Sequence, residues 1–234
     1  MDIQLIPATI ASVPEMVDCG RRAFENDALE HAIFPNRSEA LLESKEVLEY
    51  RMNLIRKRLQ SPDWHYVLAT IDSTEAPAKV VGYAGWMAPP PQENITEQKQ
   101  VESAVESQIQ QRPFATDDEY SPKGMDMDAF KHAVEVIEKA KKEILGKEEH
   151  RVWYLASLAV DPDFKGKGIA SDLVQWGVSK AEEAGLPAYL DSSPAAVGLY
   201  RRLGFKELRR LNVIRNDESH FSTVMMRTPG SAET

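Results

Sequence analysis

Apolar and polar positions change their spacing several times along this chain, and each change marks an element. Ile3 to Ala8 reads as a short first strand. Ser12-Val13-Pro14-Glu15 has the form of a capping box, with proline in the first turn where its missing N–H is harmless. Val13, Met16, Val17, Gly20 and Phe24 then recur at helical spacing, which predicts a helix ending near Asn26. A second helix is expected from Ser38, with Leu41, Leu48, Ile55 and Leu59 as its apolar stripe and Ser61-Pro62-Asp63 as its stop. The segment between them, 25-ENDALEHAIFPNRS-38, reads as a loop. His65–Ile71 and Val80–Met87 follow as strands; the polar turn 72-DSTEAPAK-79 makes them an antiparallel pair, and Pro89, Pro90 and Pro91 end the second.

From Gln92 to His150 the chain is rich in Glu, Gln and Lys. Val101, Ala104, Val105 and Gln108 suggest a weak amphipathic helix, and Met127, Phe130, Val134, Ile137 and Ile144 a stronger one, with a loop at 112-RPFATDDEYSPKGMD-126. The stretch is expected to be a helical insertion between the third and fourth strands in the order of the chain, 92–150; a cap over a site and a solvated decoration are both open. Arg151–Val160 is a long apolar strand suited to the centre of a sheet. A helix is expected over Gly168–Ala184, with Gly185 at its left-handed cap and Pro187 blocking continuation. A short strand at Ala188–Asp191, a short helix at Pro194–Leu203 closed by Gly204, and a hairpin of Phe205–Ile214 with His220–Arg227 complete the pattern. The strand–helix–strand unit in this half implies one right-handed parallel crossover, the other pairings being antiparallel. The fold expected is α/β of the α+β kind: a mixed, mostly antiparallel central sheet of about seven strands with helices on both faces. It forms one domain over 1–228, followed by a flexible tail at 229–234.

Composition narrows the function. The 234 residues carry a formal net charge of −9, which argues against a nucleic-acid binder and suits a cationic partner such as an amine. The single cysteine, Cys19, allows neither an internal disulfide nor a multi-cysteine zinc site, and fits a reducing, cytoplasmic location. Met1 to Val17 has no basic leader and no long apolar core, and no stretch reaches the length of a membrane span, so no membrane partner is expected.

The chemistry is concentrated in 160-VDPDFKGKGIASDLV-174. A strand ends at Val160, Asp161-Pro162 breaks it, and Gly166 and Gly168 precede a helix. Free amides and a partial positive charge at the start of a helix, with glycines that allow close approach, favour a phosphate. The stretch is neither a Walker motif nor a dinucleotide fingerprint. A second element, 190-LDSSPAAVGLYRRLGF-205, runs strand, small polar residues, short helix, Gly-Phe. The two in this order resemble the GNAT superfamily of acetyl-CoA-dependent N-acetyltransferases, which carry a Val-x-Pro-like break, then Gln/Arg-x-x-Gly-x-Gly/Ala, and later Leu-Tyr-x-x-x-Gly-Phe. The resemblance covers Arg151 to Leu208 well and Ile3 to Met87 by element order; it does not cover the insertion. Lys165 stands where the family has Gln or Arg, and Ser193 where many members have Asn.

The resemblance implies transfer of an acetyl group from acetyl-CoA to a primary amine of a small molecule or peptide by direct attack, in a monomer or homodimer, without metal. The departures at Lys165 and Ser193 and the lack of an evident base point to the alternative, a catalytically idle acyl-CoA-binding or regulatory module. By position, acetyl-CoA would lie between splayed strands Arg151–Val160 and Ala188–Asp191, against the backbone of Leu158, Ala159 and Val160. Its pyrophosphate would rest on Lys165, Gly166, Lys167, Gly168, Ile169, Ala170 and Ser171, with Ser193 and Tyr200 nearby. The Leu158 N–H is the implied oxyanion donor and Tyr200 the implied donor to the leaving thiolate. The base is open: Asp191 ends the splayed strand, and His65, Glu30, His31, Asp27 or a water chain are others. Ser157 either orients a water or bonds backbone, and Arg201 and Arg202 are within the range of a CoA phosphate by position. For the acceptor, Asp27 and Glu30 would answer a cation and Phe34 would line an apolar wall.

Overall fold

The computed structural model describes residues 2–36, 38–71, 78–90, 121–215, 217 and 219–230. The strands are β1 (Ile3–Pro7), β2 (Trp64–Ile71), β3 (Lys79–Met87), β4 (Trp153–Val160), β5 (Ala188–Ser192), β6 (Lys206–Leu211) and β7 (Ser222–Arg227). The helices are α1 (Val13–Ala23), α2 (Ala28–Ile33), α3 (Glu39–Leu42), α4 (Lys45–Leu59), α5 (Met127–Leu145), α6 (Ile169–Glu183) and α7 (Val197–Arg202). The strands form one seven-stranded sheet in the order β1-β2-β3-β4-β5-β7-β6. Only β4 and β5 run parallel; every other neighbouring pair is antiparallel. The expected mixed, mostly antiparallel sheet is therefore present, with its parallel pair joined through α6.

Strand alternation sorts the core into two faces. On one, α6 and α7 pack Ile169, Leu173, Val178 and Tyr200 against Val67, Trp86, Leu155 and Leu190. On the other, α1 and α4 cover Tyr66, Leu68 and Tyr83, while α5 covers Tyr154, Tyr189 and Val224. Gly177 of α6 sits directly on the Trp86 indole: a Cβ there would fall 2.0 Å from ring carbon Cε2. Trp86 is fully buried and donates its Nε1–H to the Leu173 carbonyl at 3.4 Å, so the ring has little room to retreat. Gly177→Ala is expected to destabilise the fold by about 1–3 kcal/mol through overpacking, read as a lower urea midpoint with an unchanged slope.

Several local expectations need correction. The Ser12 hydroxyl does not cap α1; it donates to the Thr9 carbonyl at 2.7 Å and accepts from the Thr9 N–H, closing a short 3-10 turn before the helix. Glu15, the other half of the expected box, instead accepts from the Val80 N–H at 3.1 Å and ties α1 to β3. The helix expected from Ser38 is two helices, because Ser44 accepts from the Val47 N–H and starts α4 afresh. The loop 25–38 contains α2, whose N-terminus Asp27 caps by accepting from the Glu30 N–H at 2.9 Å. α5, the stronger helix of the insertion, packs into the core under Val152, Tyr154 and Leu211, so this part is not a solvated decoration. Its buried face is Ala133, Ile137, Ala140 and Lys141, displaced by one position from the stripe read through Val134. The weaker helix and the loop before Asp126 fall largely outside the described residues.

Candidate active site

β4 and β5 pair only from Trp153 with Ala188 to Leu155 with Leu190; beyond that the strands part. The opening follows from a bulge. β4 pairs β3 with Gly85 opposite Ser157 and Trp86 opposite Leu155, so Ala156 is the extra residue. Below the bulge, the Trp153 N–H donates across the β5 side to the Pro187 carbonyl at 2.9 Å. Above it, the Asp161 N–H donates the other way, to Val81 on β3, also at 2.9 Å. Counting back in twos from Asp161, Ala159 and Ser157 present their amide groups to β3, and Val160 and Leu158 present theirs to the gap. The extra residue has switched the parity, and it leaves a short line of backbone donors and acceptors without a β5 partner.

The gap leads to the glycine loop. Asp161, only 2% exposed, fixes its root. One carboxylate oxygen accepts from the Arg22 guanidinium at 2.7 Å and the other from the Asp163 N–H at 3.0 Å. Arg22 also donates to Asp163 at 2.7 Å, which holds that carboxyl below the usual range. Gly166 and Gly168 have φ of +77° and +83°, so glycine is needed for the backbone path. A Cβ at either would meet nothing within 4 Å, so the space above the loop is open. Gly168 is the N-cap of the fifteen-residue α6, whose first amides face this space, with Lys165 and Lys167 exposed at the rim. Cys19, under Asp161, is no nucleophile: burial pushes its thiol up to about 12.

A cavity of about 420 Å³ opens on the face carrying α1, α4 and α5. It brings together Leu158, Ser157, Asp191, Ser193 and Tyr200 with Asp27, Glu30 and Phe34 from the acceptor-side prediction. Tyr200 is 5% exposed and packs edge-on to Phe205 at 5.7 Å. Burial raises its phenol above the ordinary range, so it stays protonated and can donate. The Ser157 Oγ is buried without a hydrogen-bond partner among the described residues, so it is not tied to backbone. It sits against Gly85, where a Cβ would come within 2.6 Å of both Oγ and the Tyr66 ring.

Asp191 has the most perturbed environment of the candidate bases. Its Oδ2 accepts from the Tyr154 hydroxyl at 2.9 Å, while Oδ1 is buried and unpartnered among the described residues. Burial pushes the carboxyl up to about 7, against the Tyr154 hydrogen bond and the Lys141 charge, which favour the anion; Glu138 adds to the rise. Tyr154 is itself raised well above an ordinary phenol by burial and by Asp191. Lys141, 8% exposed, holds its ammonium 5.1 Å from the centre of the Tyr154 ring.

The other candidates fare differently. His65 stacks on Trp153 at 5.4 Å and lies near Trp176, on the α6 face, away from the cavity; burial lowers its pKa. The His31 ring bonds the Glu25 carbonyl at 2.7 Å and does not line the cavity. Glu30 lines it but is ion-paired with Arg51, and Arg51 lies over the buried Phe34 ring at 5.3 Å. Arg201 is engaged with Glu207.

The roles of Tyr154, Lys141 and Arg51 escaped the sequence reading. A signal existed for Lys141, a lysine at helical spacing from Ile137 on an apolar face. None existed for Tyr154, whose contact with Asp191 depends on the β4–β5 register. Among the described residues no group of His, Cys, Asp and Glu side chains is placed to hold a metal ion, and no helix is long and apolar enough to cross a membrane.

Residues 129–205 match the model of the acetyltransferase (GNAT) family. A 73-residue segment is 30% identical to a probable acyltransferase, SID5, of Ajellomyces capsulatus; it spans 29% of this chain and 54%, about half, of that curated relative. Across the whole chain the fold is that of a Corynebacterium glutamicum histone acetyltransferase HPA2 and related acetyltransferase, at 20% identity, full coverage of both chains and a TM-score of 0.58. It is also that of a Drosophila melanogaster polyamine N-acetyltransferase that forms N-acetylagmatine, at 14% identity, 97% and 100% coverage and a TM-score of 0.60. The glycine loop, the splayed strands and the matched segment fall in one stretch of sequence, so residues 129–205 are similar to the acetyltransferase (GNAT) family and the chain shares the fold of these acetyltransferases.

Proposed function

We propose that this protein transfers an acetyl group from acetyl-CoA to a primary amine by direct attack. The observation that carries the reading is the parity switch at Ala156, which turns Leu158 and Val160 toward an open gap that runs from a phosphate-suited loop to a buried acid and phenol. An amide-rich pantetheine arm fits such a gap as an added strand. Lys165 to Ser171 would hold the pyrophosphate, chiefly by backbone amides, with Lys165 and Lys167 adding charge. Ala159 and Ser193 flank the gap. Acetyl-CoA supplies an activated acyl carbonyl and a thiolate leaving group.

The chain's own groups supply the rest. Asp191 takes a proton from the bound ammonium and frees the lone pair that forms the new C–N bond; the second N–H proton passes to water as the C–S bond breaks, and Asp191 releases its own to solvent before the next turnover. The Leu158 N–H donates to the carbonyl oxygen as it gathers negative charge. Tyr200 donates a proton toward the sulfur as the C–S bonding pair leaves with it, and recovers that proton from solvent. The products are the amide and the free thiol. Ser157, with an unsatisfied hydroxyl beside Leu158, orients a water on the same path.

CoA release measured over a panel of amines, with acetyl-CoA binding followed by calorimetry, tests this reading. Turnover with at least one amine is expected. Tight acetyl-CoA binding with no turnover would leave an idle acyl-CoA-binding module instead.

A further inference from the structure

We infer that the acceptor is a primary amine with a single positive charge and an aromatic or otherwise apolar body, and that Arg51 sets this preference by neutralising Glu30. The inference rests on the acetyl-transfer reading above.

The charges on the cavity wall nearly cancel. Asp27, Glu30 and Asp191 line it, and so do Arg21, Arg51 and Arg58, although the whole chain is at −9. The Glu30 charge is offset by Arg51; Asp27 spends Oδ1 on the α2 amide it caps and keeps its charge, which is set against Arg21 and Arg58 on the same wall. Asp191 alone of the three offers a buried oxygen with no partner among the described residues. One ammonium is therefore answered, and a second is not. Arg58 opposes a second cation: its guanidinium lies 4.6 Å over the Trp64 ring, donates to the Tyr66 hydroxyl at 3.2 Å, and keeps a buried Nε without a partner.

The uncharged wall is apolar, with aliphatic side chains such as Val17, Leu54 and Ile137 among many aromatic rings. Phe24, Phe34, Tyr50, Tyr66, Tyr83 and Phe130 all line the cavity. Such a surface gains by covering an apolar body; its ring faces also attract cations, but Arg51 already lies over that of Phe34, and Arg21 and Arg58 repel a second positive charge. The shared fold with a polyamine N-acetyltransferase does not carry over the acceptor, because acceptor choice lives in these wall residues rather than in the sheet.

The test measures kcat/KM for 2-phenylethylamine, tryptamine, putrescine, spermidine and agmatine, and in parallel the calorimetric Kd of each amine with CoA present. Wild type is expected to favour the aryl amines by about tenfold or more in both readouts. Arg51→Met leaves the Glu30 carboxylate without its guanidinium, and is expected to move the putrescine-to-phenylethylamine ratio about tenfold toward putrescine. The double variant Glu30→Gln/Arg51→Met restores a neutral wall and the wild-type ratio, which separates charge from any loss of packing. Equal or better use of putrescine or agmatine by wild type would overturn the inference and leave acetyl transfer standing. The expected order of Kd values with no CoA release from any amine would support the acceptor preference and sink the acetyl-transfer reading.

Discussion

Replacing Asp191 by Asn is expected to lower kcat/KM by roughly 10²–10⁴-fold and, at pH 8, to make the protein more stable. Both effects have one cause. The carboxyl sits where burial pushes it up to about 7, from an ordinary value of 3.8. Between those values the folded state keeps a proton that the unfolded chain has lost, so stability falls as pH rises through this window and the full penalty is present above it. An amide pays no such penalty and still accepts from the Tyr154 hydroxyl, which donates to Oδ2 in the wild type at 2.9 Å. The gain should be on the order of 3 kcal/mol above neutrality, several degrees of melting temperature, and should vanish below about pH 4. In the wild type, kcat/KM should fall about tenfold per pH unit below pH 7 and level off above it, as required of a base that works as the anion. A flat profile with an active Asp191→Asn variant would remove Asp191 from the chemistry.

The second large effect is at Tyr200. Tyr200→Phe keeps the buried ring against Phe205 and removes only the hydroxyl. It is expected to lower kcat about 10²-fold or more, because the thiolate then leaves without a donor. Acetyl-CoA affinity should stay within about threefold, and the urea midpoint should barely move, since neither the packing nor the phosphate loop changes. Equal losses in kcat and in acetyl-CoA affinity would instead make Tyr200 part of the binding wall.

Much of the fold was legible because it rests on local signals. Apolar runs bounded by a polar turn and a proline run gave β2 and β3, the helical period gave α1, and glycines at positive φ gave both ends of α6, at Gly168 and Gly185. The errors arose where a short polar side chain had two possible partners. Ser12 found Thr9 rather than the start of α1, and Ser44 found Val47 and so divided a helix read as continuous from Ser38. α2 was missed because six residues hold too little periodicity to see.

The site divided in the same way. The phosphate-suited loop and the Leu199-Tyr200…Gly204-Phe205 element are contiguous, and could be read along the chain. The parity switch at Ala156 was not readable, because a bulge is fixed by pairing between strands. The Asp191–Tyr154–Lys141 cluster needed three elements in register, and the Glu30–Arg51 pair joins α2 to α4. Asp27 and Glu30 had been expected to answer a cation. Both line the cavity, but Glu30 is paired with Arg51 and Asp27 caps α2, leaving Asp191 as the open acid.

A crystal structure of the full chain with CoA bound tests the central claim most directly. The account predicts the pantetheine arm between β4 and β5, hydrogen-bonded to the backbone of Leu158 and Val160. It also predicts the pyrophosphate on the amides of Gly166 to Ala170 and the sulfur within reach of the Tyr200 hydroxyl. CoA bound elsewhere, or a β4–β5 gap closed by the protein's own backbone, would contradict it.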